Sequence, residues 1–80
     1  MKSITYTRTA IKALRDIPKK DREAIMDKMS SYAKGGIQDV KKLKNSDYYR
    51  LRHGNWRAIF SEDGTVINVL NVAKRGEAYR

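Results

Sequence analysis

Residues 48–60 read YYRLRHGNWRAIF, and this stretch predicts the first two strands of a three-stranded β-meander. Its aromatic and β-branched residues are typical of strands, and a glycine lies where the connection between the two strands is expected. Successive side chains of a strand point to opposite faces of a sheet. Arg50 and Arg52 are therefore expected on one face, whereas Tyr49 and Leu51 are expected on the other.

The same alternation assigns faces to the second strand of the hairpin. Trp56, Ala58 and Phe60 share one face and are expected to pack beneath helices, together with the apolar residues of the first strand. Arg57 and Ile59 are expected on the opposite, open face. The alternation alone thus predicts that three arginines lie together on one side of the sheet.

Two short amphipathic helices are predicted in the first half of the chain. Thr7 or Thr9 is expected to cap the first helix, which should end before Pro18 because a residue that precedes proline disfavours the helical conformation. The second helix should end at the Gly-Gly pair that begins at Gly35. The apolar residues at helical spacing are Ala10, Ile11, Leu14, Ile17, Ile25, Met26, Met29, Tyr32 and Ala33.

The remaining pattern completes one domain that covers residues 1–80. The predicted strands are residues 2–6, 48–53, 56–61 and 65–73. Asp63 and Gly64 indicate a tight turn before the last strand, and residues 41–46 (KKLKNS) are interpreted as a basic loop. We therefore predict an α+β fold, in which an N-terminal helical hairpin packs on one face of a small antiparallel sheet.

The composition limits the classes of protein to which the chain can belong. Lys and Arg number 18 and Asp and Glu number 9 among 80 residues, which gives a formal net charge of +9 and favours polyanionic partners. Without cysteine, the chain has neither disulfides nor thiolate metal ligands. The apolar run VINVL is too short to span a bilayer, and no signal-peptide pattern opens the sequence. We therefore expect a cytoplasmic protein that does not enter the membrane.

The stretch VAKRGEAYR at residues 72–80 adds further groups near the three arginines. If the last strand pairs beside the arginine strands, Arg75 and Tyr79 complete a basic bowl. Guanidinium groups make paired hydrogen bonds to phosphate oxygens and stay charged at every physiological pH. The bowl fits phosphate, although a merely solvated basic face explains the same spacing.

Other kinds of site receive less support from the residues. His53 is the single histidine, and it is interpreted either as a polar turn residue or as a catalytic group. The acidic residues of the helices lack the spacing of a metal site, and no phosphate-binding glycine loop is present. If the phosphate bound in the basic bowl belongs to RNA, its cleavage by the neighbouring 2′-hydroxyl needs no metal in principle. We therefore expect neither a metal nor a cofactor.

The stretch KKLKNSDYYRLRHGNWRAIF at residues 41–60, followed by VAKRGEAYR, resembles the RelE toxins of the RelE/ParE toxin–antitoxin superfamily. The shared features are a leucine-bearing basic loop, a YRLR-like strand, a G-x-Y/W-R turn and an (H/K)R…(V/A)YR tail. The resemblance covers essentially the whole chain and implies the microbial-RNase-like fold of these toxins. It also implies a toxin that inhibits translation as a metal-independent, ribosome-dependent mRNA endonuclease (mRNA interferase).

Carried over by position, the resemblance also implies roles for individual residues. Arg57 and Arg75 would bind and neutralise the scissile phosphate, and Arg75 is a candidate to protonate the leaving oxygen. Tyr79 would stack on or orient the nucleotide, and Arg50 and Arg52 would occupy the paired basic positions of the strand. Further basic residues expected to contact RNA are Lys41, Lys42, Lys44, His53, Lys74 and Arg80.

The resemblance does not identify the general base. Arg50 and Arg52 stand where the best-known members have lysines, and arginine is a poor base because it holds its proton tightly. These two residues are then purely charge stabilisers. The candidates for the base are Tyr79, His53 and groups of the substrate or the ribosome.

The resemblance implies a cognate antitoxin, the ribosome and mRNA as partners. The antitoxin is expected to be acidic where it lies in the bowl, and to add a helix against exposed apolar surface or a strand to the sheet. Two alternatives remain: a ParE-like inhibitor of DNA gyrase, which lacks the RNase residues, and a non-catalytic RNA-binding module. The complete set of arginines and the tyrosine favours the RNase.

Overall fold

Seven elements make up residues 1–74, the part of the chain that the computed structural model describes. In chain order they are β1 (Ser3–Tyr6), α1 (Arg8–Asp16), α2 (Lys19–Ala33), β2 (Val40–Lys42), β3 (Tyr49–His53), β4 (Trp56–Glu62) and β5 (Val66–Lys74). Both predicted helices and all predicted strands are present, which confirms the α+β fold. Within the described residues, no helix is long and apolar enough to cross a membrane.

Thr7 caps α1 and also ties this helix to the sheet. Its Oγ1 accepts a hydrogen bond from the Ala10 N–H at 3.1 Å and donates one to the Leu70 carbonyl at 2.8 Å. At the other end of the helix, Ile17 has an extended backbone with φ −99° and ψ 156°. This is the conformation expected for a residue that precedes proline, so Pro18 ends α1 as predicted.

The end of α2 requires glycine for stereochemical reasons. Gly35 has φ +92°, where a side chain would be strained, and its N–H donates to the Tyr32 carbonyl at 3.0 Å. The Gly36 N–H donates to the Ser31 carbonyl at 2.8 Å, which completes a Schellman motif. A Cβ at Gly36 would lie 2.8 Å from that carbonyl oxygen, so no larger residue fits there without a shift of the backbone.

The five strands form one sheet in the order β1-β5-β4-β3-β2. Neighbouring strands from β2 to β5 are antiparallel, whereas β1 is parallel to β5. The sheet is therefore mixed instead of wholly antiparallel. This difference arises because the chain begins at one edge with β1, crosses to the other edge through the two helices, and returns strand by strand. The crossing places both helices on one face of the sheet.

Two basic segments differ from their predicted structure. The sequence predicts a loop at residues 41–46, but Lys41 and Lys42 belong to β2, which pairs with β3. Lys74 is the last residue of β5 instead of the beginning of a tail. In both cases the strand is defined by hydrogen bonds to a neighbouring strand, which local composition does not reveal.

The core lies between the helices and the covered face of the sheet. Leu51, Ala58 and Phe60 are buried, and Tyr49 and Trp56 pack against them, which confirms the predicted inward set. The other buried members of this core are Ala10, Leu14, Ile17, Ile25, Met29, Ala33, Ile67, Val69 and Val72. Both helices thus contribute to one core, as their apolar spacing predicts.

Two apolar helix residues lie outside this core. Ile11 and Met26 are 42% and 39% exposed, so the prediction that they pack on the sheet is wrong. Helical spacing identifies an apolar face, but it does not distinguish the centre of that face from its edge. With Tyr6 and Leu14, these residues line an open apolar groove of about 320 Å³, which we call the helix groove.

A partly buried ion pair joins the start of β1 to the end of β4. Lys2 Nζ lies 2.7 Å from Glu62 Oε2, and the Tyr32 hydroxyl donates to Glu62 Oε1 at 2.6 Å. Burial acts to raise the pKa of Glu62, but the hydrogen bonds from Lys2 and Tyr32 outweigh it and lower the pKa below 4.5. Burial and the hydrogen bond to Glu62 raise the pKa of Tyr32 to about 12.

Replacing Thr7 with alanine should lower the free energy of unfolding by about 1–2 kcal/mol, because the variant loses the helix cap and the bond to the Leu70 carbonyl. Thr9→Ala is the matched control. Thr9 is an exposed residue in the first turn of α1, so its replacement should change stability by less than about 0.5 kcal/mol. Urea denaturation followed by circular dichroism measures both values. Equal losses would contradict the role given to Thr7.

Glu62→Gln should destabilise the protein at neutral pH and lose this effect in acid. Because the folded-state pKa of Glu62 is lowered, the carboxylate stabilises the fold above pH 4.5, and this contribution disappears as the pH falls through the folded-state pKa. Tyr32 has the opposite pH dependence, because its pKa is raised in the folded state. Its contribution to the stability of the fold is present below pH 10.0 and is lost as the pH rises toward about 12. Thermal melts across this range, with exposed Glu23→Gln as the control, should show the pattern. A loss for Glu62→Gln that is independent of pH would contradict it.

Candidate functional site

The open face of the sheet carries three of the predicted arginines. Arg50 and Arg52 on β3 and Arg57 on β4 lie on the side opposite to the core residues of the same strands. Ile59 shares this side and is buried among its neighbours there. The predicted alternation is therefore confirmed for these four residues. We call the surface formed around the three arginines the arginine face.

The register of the sheet brings cations directly opposite one another. Arg52 pairs with Arg57 across β3 and β4, and Lys41 pairs with Arg50 across β2 and β3. Like charges in such cross-strand positions destabilise a sheet. Local rules of this kind are broken mainly at functional sites, and a site built from cations suits an anion.

A tight turn fixes the register of the arginines. Gly54 and Asn55 form the two-residue loop between β3 and β4. Gly54 has φ +57° and Asn55 is not in the left-handed region, which is the combination required by a type II′ turn. This turn keeps Arg52 opposite Arg57.

Two of the three guanidinium groups lie deep in the face. Arg50 and Arg57 are only 9% and 8% exposed, whereas Arg52 is exposed. The Arg50 Nη1 atom lies 3.4 Å from Asp39 Oδ1, and the Arg52 Nε–H donates to the Gly54 carbonyl at 3.3 Å. These contacts restrict the guanidinium groups before any ligand binds, and such restriction favours precise binding.

The predicted lysines are distributed around this face. Lys41 is exposed and lies on the arginine face opposite Arg50. Lys42 pairs with Tyr49, so the alternation of β2 directs it toward the helix side of the edge. Lys44 is exposed in the loop that follows β2. Lys41 is thus the lysine that the structure brings together with the arginines.

Two further residues that we predicted to contact RNA lie, like Lys42, on the helix side of the sheet. His53 Nε2 is 3.2 Å from Asp21 Oδ1 on α2, and Lys74 Nζ is 5.7 Å from the centre of the Trp56 ring. The structure therefore does not bring them to the arginine face, and their contact with RNA stays a prediction. The sequence indicates the location of His53, because residues two positions apart in a strand lie on the same face and Leu51 is expected to face the helices.

Three further predicted site residues, Arg75, Tyr79 and Arg80, lie outside the residues that the structure describes. Their membership of the site stays a prediction. The end of β5 at Lys74 is close to the arginines in register, because Ala73 pairs with Arg57.

Asp39 belongs to the arginine face but was missed in the sequence. Its carbonyl accepts a hydrogen bond from the Arg52 N–H at 3.0 Å, which extends the pairing of β2 with β3 by one residue. Its carboxylate contacts Arg50. We assigned no strand to this segment, so no parity was available for Asp39; its position two residues before Lys41 is the signal that would have placed it.

The chemistry of the arginine face follows from its side chains. Guanidinium groups supply several fixed hydrogen-bond donors and positive charge, which suit phosphate and developing negative charge on oxygen. In residues 1–74, no group of three or more His, Asp or Glu side chains is arranged to hold a metal ion. Guanidinium groups of this kind can bind an anion and stabilise negative charge on its oxygens.

Several solved structures share this fold. A chain of the RelB–RelE antitoxin–toxin complex from Methanococcus jannaschii is 26% identical, with 94% of each chain covered and a TM-score of 0.77. A chain of the archaeal RelE–RelB complex from Pyrococcus horikoshii OT3 is also 26% identical, with 95% of this chain and 97% of that chain covered and a TM-score of 0.79. YafQ from E. coli is similar in fold alone, with a TM-score of 0.80 over 100% of both chains at 12% identity.

The family of the chain is shown by a match along most of its length. A search of curated proteins found no match. In contrast, residues 4–79 match the family described as "ParE toxin of type II toxin-antitoxin system, parDE". The chain therefore belongs to this toxin family, within the RelE/ParE superfamily of type II toxin–antitoxin systems.

Proposed function

We propose that this toxin is an mRNA endonuclease that cuts messages on the ribosome and thereby inhibits translation. The observation that carries the proposal is the pairing of Arg52 with Arg57 beside the buried Arg50. Such a cluster of restricted guanidinium groups fits a phosphodiester well. The resemblance of residues 41–60 to RelE-type toxins, which cleave mRNA in the ribosomal A site, supports the same choice.

Cleavage would begin with attack of a ribose 2′-oxygen on the adjacent phosphorus. The bond between this oxygen and phosphorus forms, the bond from phosphorus to the 5′-oxygen breaks, and the 5′-oxygen gains a proton. Negative charge grows on the phosphoryl oxygens during this step. A preorganised donor aimed at such charge typically contributes about 3–4 kcal/mol to transition-state stabilisation, so a few arginines can supply much of the catalysis.

The proposed roles follow the resemblance and the placement of the side chains. Arg57 binds the scissile phosphate together with Arg75, and Arg50 and Arg52 stabilise the charge that develops on it. Tyr79 orients or stacks on the nucleotide. The roles of Arg75 and Tyr79 rest on the resemblance alone.

The group that accepts the 2′ proton must be other than an arginine, because a protonated guanidinium has only hydrogen-bond donors and no acceptor. Among the candidates for the general base, His53 faces α2 on the opposite side of the sheet. Tyr79 and groups of the substrate or the ribosome remain as candidates from that set.

The lysines extend the basic surface beyond the arginines. Lys41, Lys42 and Lys44 follow one another along the edge of the sheet and into the next loop, where neighbouring phosphates of RNA would pass. Contacts of this kind weaken steeply as the salt concentration rises. Because the proposed target is the translating ribosome, the proposal also places the toxin in the cytoplasm.

Inhibition of DNA gyrase is the second candidate, because the family that matches the chain carries the ParE name. A gyrase inhibitor requires a surface that binds protein, but it does not require arginines arranged around a phosphate. A non-catalytic module would bind RNA without cleaving it. Substitution of the arginines separates these three possibilities.

Arg52→Ala should abolish growth inhibition and slow mRNA cleavage on ribosomes by about 100- to 1,000-fold, because it removes one charge-stabilising donor. Arg52 is exposed, and within residues 1–74 its side chain donates to a turn carbonyl, so the stability should stay within about 0.5 kcal/mol of the wild type. Arg57→Lys keeps the charge but loses the planar fork, and should show a smaller loss. Lys12→Ala removes an exposed cation from α1 and serves as the control.

Two measurements decide between the candidates. Primer extension on messages from expressing cells detects cleavage, and incorporation of labelled amino acids reports translation. Cleavage lost in Arg52→Ala but kept in Lys12→Ala would support the proposal. Intact messages together with DNA damage would overturn it in favour of gyrase inhibition, and RNA binding without either effect would overturn it in favour of a non-catalytic module.

We further propose that the cognate antitoxin places an amphipathic helix in the helix groove. The groove is lined by Tyr6, Ile11, Leu14, Arg15, Arg22 and Met26. Its apolar floor suits the apolar face of a helix, and its two arginines suit acidic residues along the flank of that helix. The M. jannaschii structure is a RelB–RelE antitoxin–toxin complex and the P. horikoshii structure is a RelE–RelB complex, which supports a protein partner for this chain.

Ile11→Glu and Met26→Glu should each weaken binding of the antitoxin by at least about tenfold, because a carboxylate in the groove would be desolvated by the bound helix. Ile37→Glu is the matched control, since Ile37 is 98% exposed and does not line the groove. The probe is the protein encoded beside the toxin gene, and calorimetric titration measures its affinity. Unchanged affinity in both groove variants would rule out this docking site.

A further inference from the structure

A carboxylate stands among the cations of the arginine face. Asp39 lies one residue before β2, and its carbonyl accepts a hydrogen bond from the Arg52 N–H at 3.0 Å. This bond continues the register in which Val40 pairs with Leu51, so Asp39 is opposite Arg52. Its side chain therefore lies on the arginine face, on a backbone that the sheet holds in place.

The Asp39 carboxylate contacts one arginine in particular. Its Oδ1 atom is 3.4 Å from Arg50 Nη1, and the exposed fractions of the two side chains are 52% for Asp39 and 11% for Arg50. Solvent screens an ion pair in which one partner is so open, so this pair adds little to the stability of the fold. We expect the ion pair to act mainly by fixing the orientation of the Arg50 guanidinium group.

The neighbours of Arg50 make this contact important. Lys41 on β2 and Ile59 on β4 flank it in the sheet, and the lysine repels it while the isoleucine side chain accepts no hydrogen bond. Asp39 contacts one nitrogen of a guanidinium that carries five N–H donors, and such donors suit phosphate oxygens. An arginine that is already oriented also loses less conformational freedom when a ligand binds.

We propose that Asp39 is a positioning residue, which orients Arg50 for contact with the phosphate during mRNA cleavage. It acts through the arginine and does not itself touch the substrate. This inference rests on the proposed cleavage function. The orientation of Arg50, however, can be measured in the free protein without any cleavage.

Asp39→Asn tests the inference, because the amide keeps the size of the side chain and loses its charge. We expect the single-turnover rate on ribosomes carrying a defined message to fall about tenfold, while the ribosome concentration for half-maximal rate changes less than about twofold. Asp39→Glu should restore part of the rate. In an Arg50→Ala background, Asp39→Asn should cause no further loss, because the two residues act as one unit.

Asp47→Asn is the matched control, since it removes the same charge from an exposed residue of the neighbouring loop. Its rate should equal that of the wild type. In the free protein, ¹⁵N relaxation of the Arg50 Nε–H group should show a rigid group in the wild type and in Asp47→Asn, and a more mobile one in Asp39→Asn. Thermal melts establish that each variant is folded.

The outcomes separate this inference from the proposed function. An unchanged rate or an unchanged mobility of Arg50 in Asp39→Asn would overturn it. A faster rate or tighter binding would also overturn it, because the carboxylate would then compete with phosphate. If the wild type cleaves nothing, the proposed function fails, while the relaxation measurement still decides whether Asp39 orients Arg50.

Discussion

The pairing of β3 with β4 is the constraint on which the rest of the structure depends. Its register is fixed by the type II′ turn at Gly54, and it serves the core and the arginine face at the same time. A slip of one residue would turn the apolar set to solvent and carry guanidinium groups beneath the helices. Because an unpaired charge in a core is strongly destabilising, the apolar residues enforce the geometry of the basic ones.

Features set by neighbouring residues could be predicted from the sequence. Thr7 was one of two expected caps, Pro18 ends α1, and Gly35 ends α2, because capping, proline sterics and a positive φ act within a few residues. The alternation of β3 and β4 likewise placed three arginines together. Features set by distant partners could not be predicted: β2 and the parallel partner of β1 exist only through hydrogen bonds to strands elsewhere in the chain.

Alternation along the strands predicted which side of the sheet carries the three arginines, whereas positive charge alone does not assign a residue to a side. His53 and Lys74 are basic, but their positions in the strands direct them toward the helices. Asp39 was missed because its segment resembles a loop in composition. Ile11 and Met26 were assigned to the core because helical periodicity does not indicate how far the sheet extends beneath a helix.

The parallel pairing of β1 with β5 affects the order in which the strands of the sheet come together during folding. Ser3 pairs with Val66, and the Thr7 N–H donates to the Val69 carbonyl at 2.9 Å, so β1 has its partner strand only once the chain has been synthesised as far as β5. Contacts between such distant positions form late, because closing a long loop costs entropy before it brings any gain. The sheet that carries the arginines therefore remains incomplete until β5 has been made. For a toxin that we propose to act on ribosomes, this topology separates the synthesis of the chain from the appearance of its activity.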